Sequence, residues 1–287
     1  MMSKQSQQDK AQTLLKLHTH GDLLVLPNVW NPIGARVLQA KGYPAVATAS
    51  AAVSASLGYE DGERLKRTTL IDCLERIASS VDVPVTADIE AGYGASLAKL
   101  AETIELVLDA GIVGINLEDS VLETSGLEGE PLRPIDEQCQ RIATVRQTAE
   151  RRGIHLVINA RVDCFLSGTY ADPAEAMRET VARAAAYVEA GADSIYPIGP
   201  GDAETVRALR SQIHAPINIL VSPSSAPLSE LRQIGINRVS FGPFVFRAWL
   251  RQFVDMADGL REGGNFAVLG HVLSGSEEAT FLRTRHE

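Results

Sequence analysis

At 287 residues, with 45% hydrophobic and 22% charged side chains, the chain has the composition of an ordinary globular protein with a large core. Its length fits a single barrel-sized domain over residues 1–287, with C-terminal helices, better than two small domains. The formal charge of −9 excludes the basic field that nucleic acid or an anionic membrane would need, so a small molecule is the expected partner.

In chain order, Gln8 to His20 reads as a helix with leucines at 14, 15 and 17 on one face. A buried strand, Leu23 to Leu26, stops at Pro27 because proline supplies no ladder donor, and Asn28 and Trp30 sit just beyond it. A helix over Ile33 to Lys41 ends at Gly42, and Ala45 to Thr48 is the second strand. The stretch from Ala49 to Glu63 reads as a loop of small residues, able to bring backbone N–H groups close to a ligand. A helix from Thr68 to Ser79 leads to V-T-A-D-I-E-A-G-Y-G, Val85 to Gly94, a strand ending in Asp88 and Glu90. Residues i and i+2 of an extended chain face the same side. The pair therefore reads either as a solvated turn or as two carboxylates converging on a hard cation such as Mg²⁺.

The helix Leu97 to Ala110 precedes a strand, Val113 to Leu117, that again ends in acids, Glu118 and Asp119. Residues 120–134 lack apolar periodicity and read as a long loop of the kind that forms lids, with Glu123, Ser125 and Glu128 as candidate groups or as solvated positions. A helix from Ile135 to Arg152 leads to the strand H-L-V-I-N-A-R-V-D, with Arg161 and Asp163 at its exit. Gly168 and Pro173 turn the chain into a helix from Ala174 to Ala190, and G-A-D-S-I-Y-P-I-G, A-P-I-N-I-L-V and N-R-V-S-F-G supply strands six to eight. Eight strands alternating with helices predict an α/β fold, the (β/α)₈ TIM barrel, with an open doubly wound sheet as the alternative. The barrel is favoured because Asn28, Asp88, Glu90, Glu118, Asp119, Arg161, Asp163 and Asn218 fall at or just past strand ends, the catalytic face of such barrels.

The polar N-terminal segment lacks a signal-peptide core and no run is long enough to span a bilayer, so a cytoplasmic chain is expected. Cys73, Cys139 and Cys164 are too few and scattered for disulfides or zinc and read as small hydrophobes. None of the six histidines lies at a strand exit, so no histidine base or histidine-held metal is expected.

The motifs P-N-V-W-N (27–31), A-S-A-A-V-S-A-S-L-G-Y-E-D (49–61), A-D-I-E-A-G-Y-G (87–94), G-I-N-L-E-D-S (114–120), N-A-R-V-D (159–163) and G-A-D-S-I-Y-P (191–197) resemble the isocitrate lyase and phosphoenolpyruvate mutase superfamily. The resemblance implies a barrel whose eighth helix is swapped between subunits of a homodimer or homotetramer. It also implies a Mg²⁺ site, with Mn²⁺ as the alternative ion, that holds an α-keto acid or its enolate. On that basis Asp88 and Glu90 look like the carboxylate pair at the metal, and Asp61 and Glu118 like its further, partly water-mediated ligands. Glu90 departs from the more frequent Asp. The N–H groups of Ser50 and Ala51 match positions that hold substrate oxygens, and Trp30 and Asn218 are further candidate substrate contacts. Arg161 matches the arginine that takes a substrate carboxylate in two-point fashion, or else it pairs with Asp163 or Glu118. Tyr93 either contacts the substrate or donates a proton, or only covers the mouth, which leaves Asp61, Arg161 and Tyr93 as the candidate catalytic groups.

The lyases of this superfamily carry K-K-C-G-H in the loop after the fourth strand, whereas this chain reads S-V-L-E-T-S-G-L-E-G-E-P-L-R-P there, with no Cys, Lys or His. The expected function is a Mg²⁺-dependent lyase that cleaves a C–C bond of a small α-keto or 2-hydroxy carboxylic acid through an enolate, without that cysteine. The alternatives are oxaloacetate decarboxylation, phosphonopyruvate hydrolysis or mutase-type P–C chemistry, and a non-catalytic α-keto-acid-binding protein.

Overall fold

The structure, a computed structural model, describes residues 4–122, 132–166, 170–263, 266–270 and 272–282. Gly168 and the middle of the expected lid, with Glu123, Ser125 and Glu128, lie outside the described residues.

Strands that read as continuous apolar runs are buried on both faces. Among the described residues nine segments form: β1 Leu24–Leu26, β2 Asn28–Val29, β3 Val46–Thr48, β4 Val85–Asp88, β5 Gly114–Glu118, β6 Val157–Val162, β7 Ser194–Pro197, β8 Asn218–Leu220 and β9 Arg238–Ser240. Every described neighbour pair is parallel, in the orders β2-β3-β4-β5-β6-β7 and β1-β9-β8. The two sheets join at both ends. Ile195 of β7 bridges Ile217 beside β8 and donates its N–H to the Pro216 carbonyl at 2.9 Å. At the other end β1 and β2 are two halves of one strand, split by Pro27. The strand therefore does not stop at Pro27, as its missing N–H suggests. It changes partner there, from β9 to β3, and the ring closes as a (β/α)₈ barrel. Asn28 staples this seam: its Nδ2 donates to the Thr48 carbonyl at 2.7 Å, and its Oδ1 accepts the Phe241 and Gly242 N–H groups at 2.8 and 2.9 Å.

The helices are α1 Lys4–Thr19, α2 Pro32–Ala40, α3 Ser50–Ser56, α4 Arg67–Ser79, α5 Leu97–Asp109, α6 Ile135–Arg151, α7 Pro173–Glu189, α8 Ala203–Gln212, α9 Leu228–Ile234, α10 Phe244–Gly263 and α11 Gly275–Leu282. In α5, Leu100, Thr103, Ile104, Val107 and Leu108 are buried, the spacing of one helical face, and Ser96 caps its start by accepting the Lys99 N–H. One element differs from the sequence expectation. The small-residue stretch after β3 is a helix, α3, because alanine has the highest helix propensity and nothing in Ser50–Ser56 breaks a helix.

Helix α1 crosses the N-terminal mouth of the barrel. Leu14 packs so closely on β5 that a Cβ at Gly114 would stand 2.6 Å from its Cδ2 and 2.9 Å from Thr86 Oγ1, which accounts for the glycine. Behind Leu14 lies a buried polar layer. His18 Nδ1–H donates to the Leu14 carbonyl at 2.8 Å and Nε2 accepts from Arg238 Nη1 at 3.3 Å, the tautomer this network requires. Arg238 Nη2 also donates to Asn116 Oδ1, which accepts from Asn159 Nδ2 as well.

Burial, then the Arg238 charge, holds the His18 imidazole down at about 4. The unfolded ring takes a proton below about pH 6.5, so roughly 3 kcal/mol of stability is expected to be present above that pH and lost as pH falls toward 4. Urea unfolding at pH 7 and pH 4 checks this, with a smaller loss in His18→Gln than in the wild type.

At the other end of the chain, α10 meets the barrel through Phe246, which packs with Trp30 against Ala49 and Ala52. Trp249, Leu250, Phe253, Val254 and Leu260 of α10 are exposed. Helix α11 lies on α2, where Arg36 Nη1 donates to the Leu282 carbonyl. No helix among the described residues is long and apolar enough to cross a membrane.

Candidate active site

Asp88 is the last residue of β4 and is nearly buried. Its N–H donates to Thr48 Oγ1 at 3.1 Å and its Oδ1 accepts the Glu90 N–H at 3.2 Å. The extended geometry ends there. Glu90 has a left-handed backbone, φ 53°, which costs of the order of 1 kcal/mol for a non-glycine residue. The i, i+2 expectation is therefore corrected: the turn swings the Glu90 carboxylate onto the 61–63 loop, where Oε2 accepts the Gly62 and Glu63 N–H groups, both at 2.6 Å. Tyr93 Oη–H donates to Glu90 Oε1 at 2.9 Å, so the hydroxyl expected to serve a substrate is turned to Glu90.

Glu118 ends β5 and stands opposite Arg161 of β6 in the sheet register. Arg161 Nη1 pairs with Glu118 at 2.6 Å, while Nε and Nη2 grip the two oxygens of Asp163, each at 2.7 Å. Of the two readings of Arg161, the ion pair is the one present, and it involves both acids. Its two-point fork is spent on Asp163, which leaves single N–H contacts for any substrate. Ser120 Oγ donates to Asp163 at 2.6 Å, and Asp119 accepts the Asp163 N–H at 3.0 Å. Asp119 is in turn held by Arg183 Nη1 at 3.1 Å and Tyr187 Oη at 2.7 Å from α7. The same Arg183 donates to the Arg133 carbonyl, and Arg133 N–H donates to the Asp119 carbonyl. Both stems of the 120–134 segment are thus tied to one buried network.

Asp61 is an exposed residue of its loop whose carboxyl turns inward to accept a bond from the buried Ser50. Desolvation, then the Asp88 charge, raises its carboxyl above the usual range. Burial, then the Asp61 charge, pushes Glu90 up to about 7. Burial raises Glu118 as well, against the pull of Arg161, with Asp163, Asp88 and Glu90 adding to the rise. Against its own desolvation, Asp163 and Glu118 keep Arg161 more basic than an ordinary guanidinium. Asp61, Asp88, Glu90, Glu118, Asp163 and Arg161 therefore share one electrostatic neighbourhood, in which negative charge exceeds positive. The all-oxygen donor set suits a hard cation. Among the described residues no three His, Cys, Asp or Glu side chains converge closely enough to hold a metal ion directly. The set fits an ion that keeps much of its water and takes one or two carboxylates, as Mg²⁺ does.

The remaining expectations divide. Ser50 and Ala51 open α3 behind an uncapped Ala49, where the first helical N–H groups have no acceptor within the helix. Trp30 lies in an aromatic cluster, edge-to-face with Phe246 at 5.0 Å and tilted against Trp249 at 5.7 Å between ring centroids. Asn218 is corrected from a strand exit to the first residue of β8, fully buried, with Nδ2 donating to Ser240 Oγ at 3.1 Å. Its strand begins later than the apolar run A-P-I-N-I-L-V suggests. Sequence reasoning missed Ser120, Arg183 and Tyr187. The spacing of Arg183 and Tyr187, i and i+4 on α7, was the available signal.

The family profile described as Phosphoenolpyruvate phosphomutase matches residues 14–261. The chain is 31% identical over 247 residues to "Uncharacterized protein Rv1998c" of Mycobacterium tuberculosis, covering 86% of this chain and 88% of the relative. It is 29% identical over 266 residues to 2-methylisocitrate lyase of Vibrio cholerae, covering 88% and 82%. Among solved structures, a "putative lyase/mutase" from Burkholderia cenocepacia J2315 superposes with a TM-score of 0.88 at 30% identity, covering 98% of each chain.

Proposed function

The chain belongs to the phosphoenolpyruvate mutase and isocitrate lyase superfamily, whose members are lyases and mutases, and from that premise we propose a Mg²⁺-dependent lyase acting on a small α-keto or 2-hydroxy carboxylic acid through an enolate. The observation that carries this reading is the surplus of carboxylates at the C-terminal mouth of the barrel, with the Arg161 charge already met by Glu118 and Asp163. When bound, Mg²⁺ stabilises the negative charge that develops on the keto oxygen. Asp88 is the residue best placed to hold it, with Asp61 and Glu118 toward its waters. The N–H groups of Ser50 and Ala51 orient the substrate carboxylate, and the remaining Arg161 N–H groups make single contacts to it. Asp163, fixed by Ser120 and Asp119, keeps the guanidinium in place.

A second reading, decarboxylation of oxaloacetate, is favoured by one observation. The loop after β5 has no cysteine to protonate an enolate product and Tyr93 Oη is committed to Glu90, so the pyruvate enolate left after CO₂ departs would take its proton from water. The test is a panel of 2-methylisocitrate, isocitrate, oxaloacetate and phosphonopyruvate, with Mg²⁺ and with EDTA, read by release of pyruvate, glyoxylate, succinate, CO₂ or phosphate. Metal-dependent turnover of one compound supports the enolate reading. No turnover, together with a rise in melting temperature from oxalate plus Mg²⁺, favours a keto-acid-binding protein.

For assembly, the exposed apolar side of α10 carries the swapped-helix expectation. Trp249 stacks on Phe253 with centroids 5.9 Å apart, and both are about half exposed. The pair Trp249→Glu and Phe253→Glu is expected to convert a dimer or tetramer to monomer in sedimentation velocity. A wild type that sediments as a monomer overturns this assembly.

A further inference from the structure

Glu63, Glu90 and Tyr93 are the non-glycine residues with a left-handed backbone among those described, at φ 58°, 53° and 54°. They are in contact with one another. Glu90 Oε2 takes the Gly62 and Glu63 N–H groups, Glu90 Oε1 takes the Tyr93 hydroxyl, and Glu63 Oε1 takes the Tyr93 N–H at 2.7 Å. Four hydrogen bonds thus lock the turn after β4 to the loop that carries Asp61. Strained backbone survives only where its surroundings over-determine it. Here the surroundings are these bonds.

We propose that Glu90 is a positioning residue, which braces the Asp61 loop against the β4 exit in place of ligating the metal itself. Oε2, with two lone pairs, is saturated by its two N–H donors, and Oε1 accepts the Tyr93 hydroxyl, so three of the four acceptor sites of the carboxylate are taken by the brace. Residue type follows from reach. An aspartate at this position is shorter by one C–C bond, about 1.5 Å, and does not span to amides now 2.6 Å from Oε2 unless the loop moves. Gly62, φ 95°, supplies the turn that presents its N–H beside that of Glu63. The consequence for Asp61 rests on the metal-site reading above. The brace stands on its own bonds.

The test combines amide hydrogen exchange over residues 58–66 with Mn²⁺ binding by EPR, in wild type, Glu90→Asp, Glu90→Gln, Tyr93→Phe and Asp88→Asn. Glu90→Asp and Glu90→Gln are expected to speed exchange at 62 and 63 and to weaken Mn²⁺ binding, each by about tenfold, the effect of losing charge-assisted bonds. Tyr93→Phe moves both in the same direction by less, and Asp88→Asn abolishes Mn²⁺ binding with exchange unchanged. The inference is overturned if Glu90→Asp binds Mn²⁺ as well as the wild type or better, with exchange at 62 and 63 unaltered. If the wild type binds no Mn²⁺, the metal reading fails, and the exchange comparison still decides the brace.

Discussion

Asp88→Asn is expected to lower kcat/KM by about a thousandfold or more, some 4 kcal/mol of transition-state stabilisation, while leaving the protein without metal at least as stable as the wild type. The two halves of this expectation have one cause. Asp88 ends β4 beside Asp61, Glu90 and Glu118, each of which its charge pushes toward protonation. Asparagine keeps an oxygen to accept the Glu90 N–H but removes one negative charge from the crowd. Repulsion falls, and so does the attraction for a divalent cation. Thermal unfolding with and without Mg²⁺ separates the effects: the shift produced by the ion disappears, because a ligand stabilises only the state that binds it. A variant that unfolds early without metal contradicts this assignment.

Arg161→Met is the second large effect, and it appears in stability as well as turnover. The guanidinium is nearly buried between Glu118 and Asp163, and removal of one partner from such a group typically costs about 3–5 kcal/mol. The loss depends on pH. Burial already raises the Glu118 carboxyl, and without Arg161 its folded pKa rises further. A carboxyl raised in the folded state destabilises the fold most above its folded pKa and least near its unfolded value, about 4. The deficit is therefore expected to be larger at alkaline pH, above the folded pKa of Glu118, than at pH 5 in urea titrations. Equal deficits at both pH values contradict the coupling. Methionine also removes the single N–H contacts left for substrate, so lowering the pH does not restore turnover.

The barrel and its acidic mouth were legible in the sequence because strand burial and strand ends are local properties. Apolar runs of four to six residues marked β4, β5 and β6, and Asp88, Glu118, Arg161 and Asp163 lie where those runs end. What was not legible depends on backbone torsion or distant contact. The alternation that should place Asp88 and Glu90 on one side holds only while the chain is extended, and a left-handed φ two residues later cancels it. Asn218 looked like a strand-exit residue because nothing in A-P-I-N-I-L-V marks where pairing begins. Nor does sequence spacing reveal that Asp119 meets Tyr187, 68 residues away on a helix behind the barrel.

The split of the first strand at Pro27 governs the order in which the barrel assembles. The β2 half finds its partner within about twenty residues, since Asn28 stands opposite Ala47. The β1 half waits for residues 238–240, and Asn28 Oδ1 for an N–H 213 residues away. Contacts of such long range form late, because the entropy of closing the intervening chain must be overcome before they contribute anything. During synthesis on the ribosome the nascent chain therefore carries an open sheet with β1 as an unpaired edge, the kind of edge that recruits other strands. Closure comes only when β9 has left the exit tunnel, so a chain interrupted before that point is expected to leave this edge open.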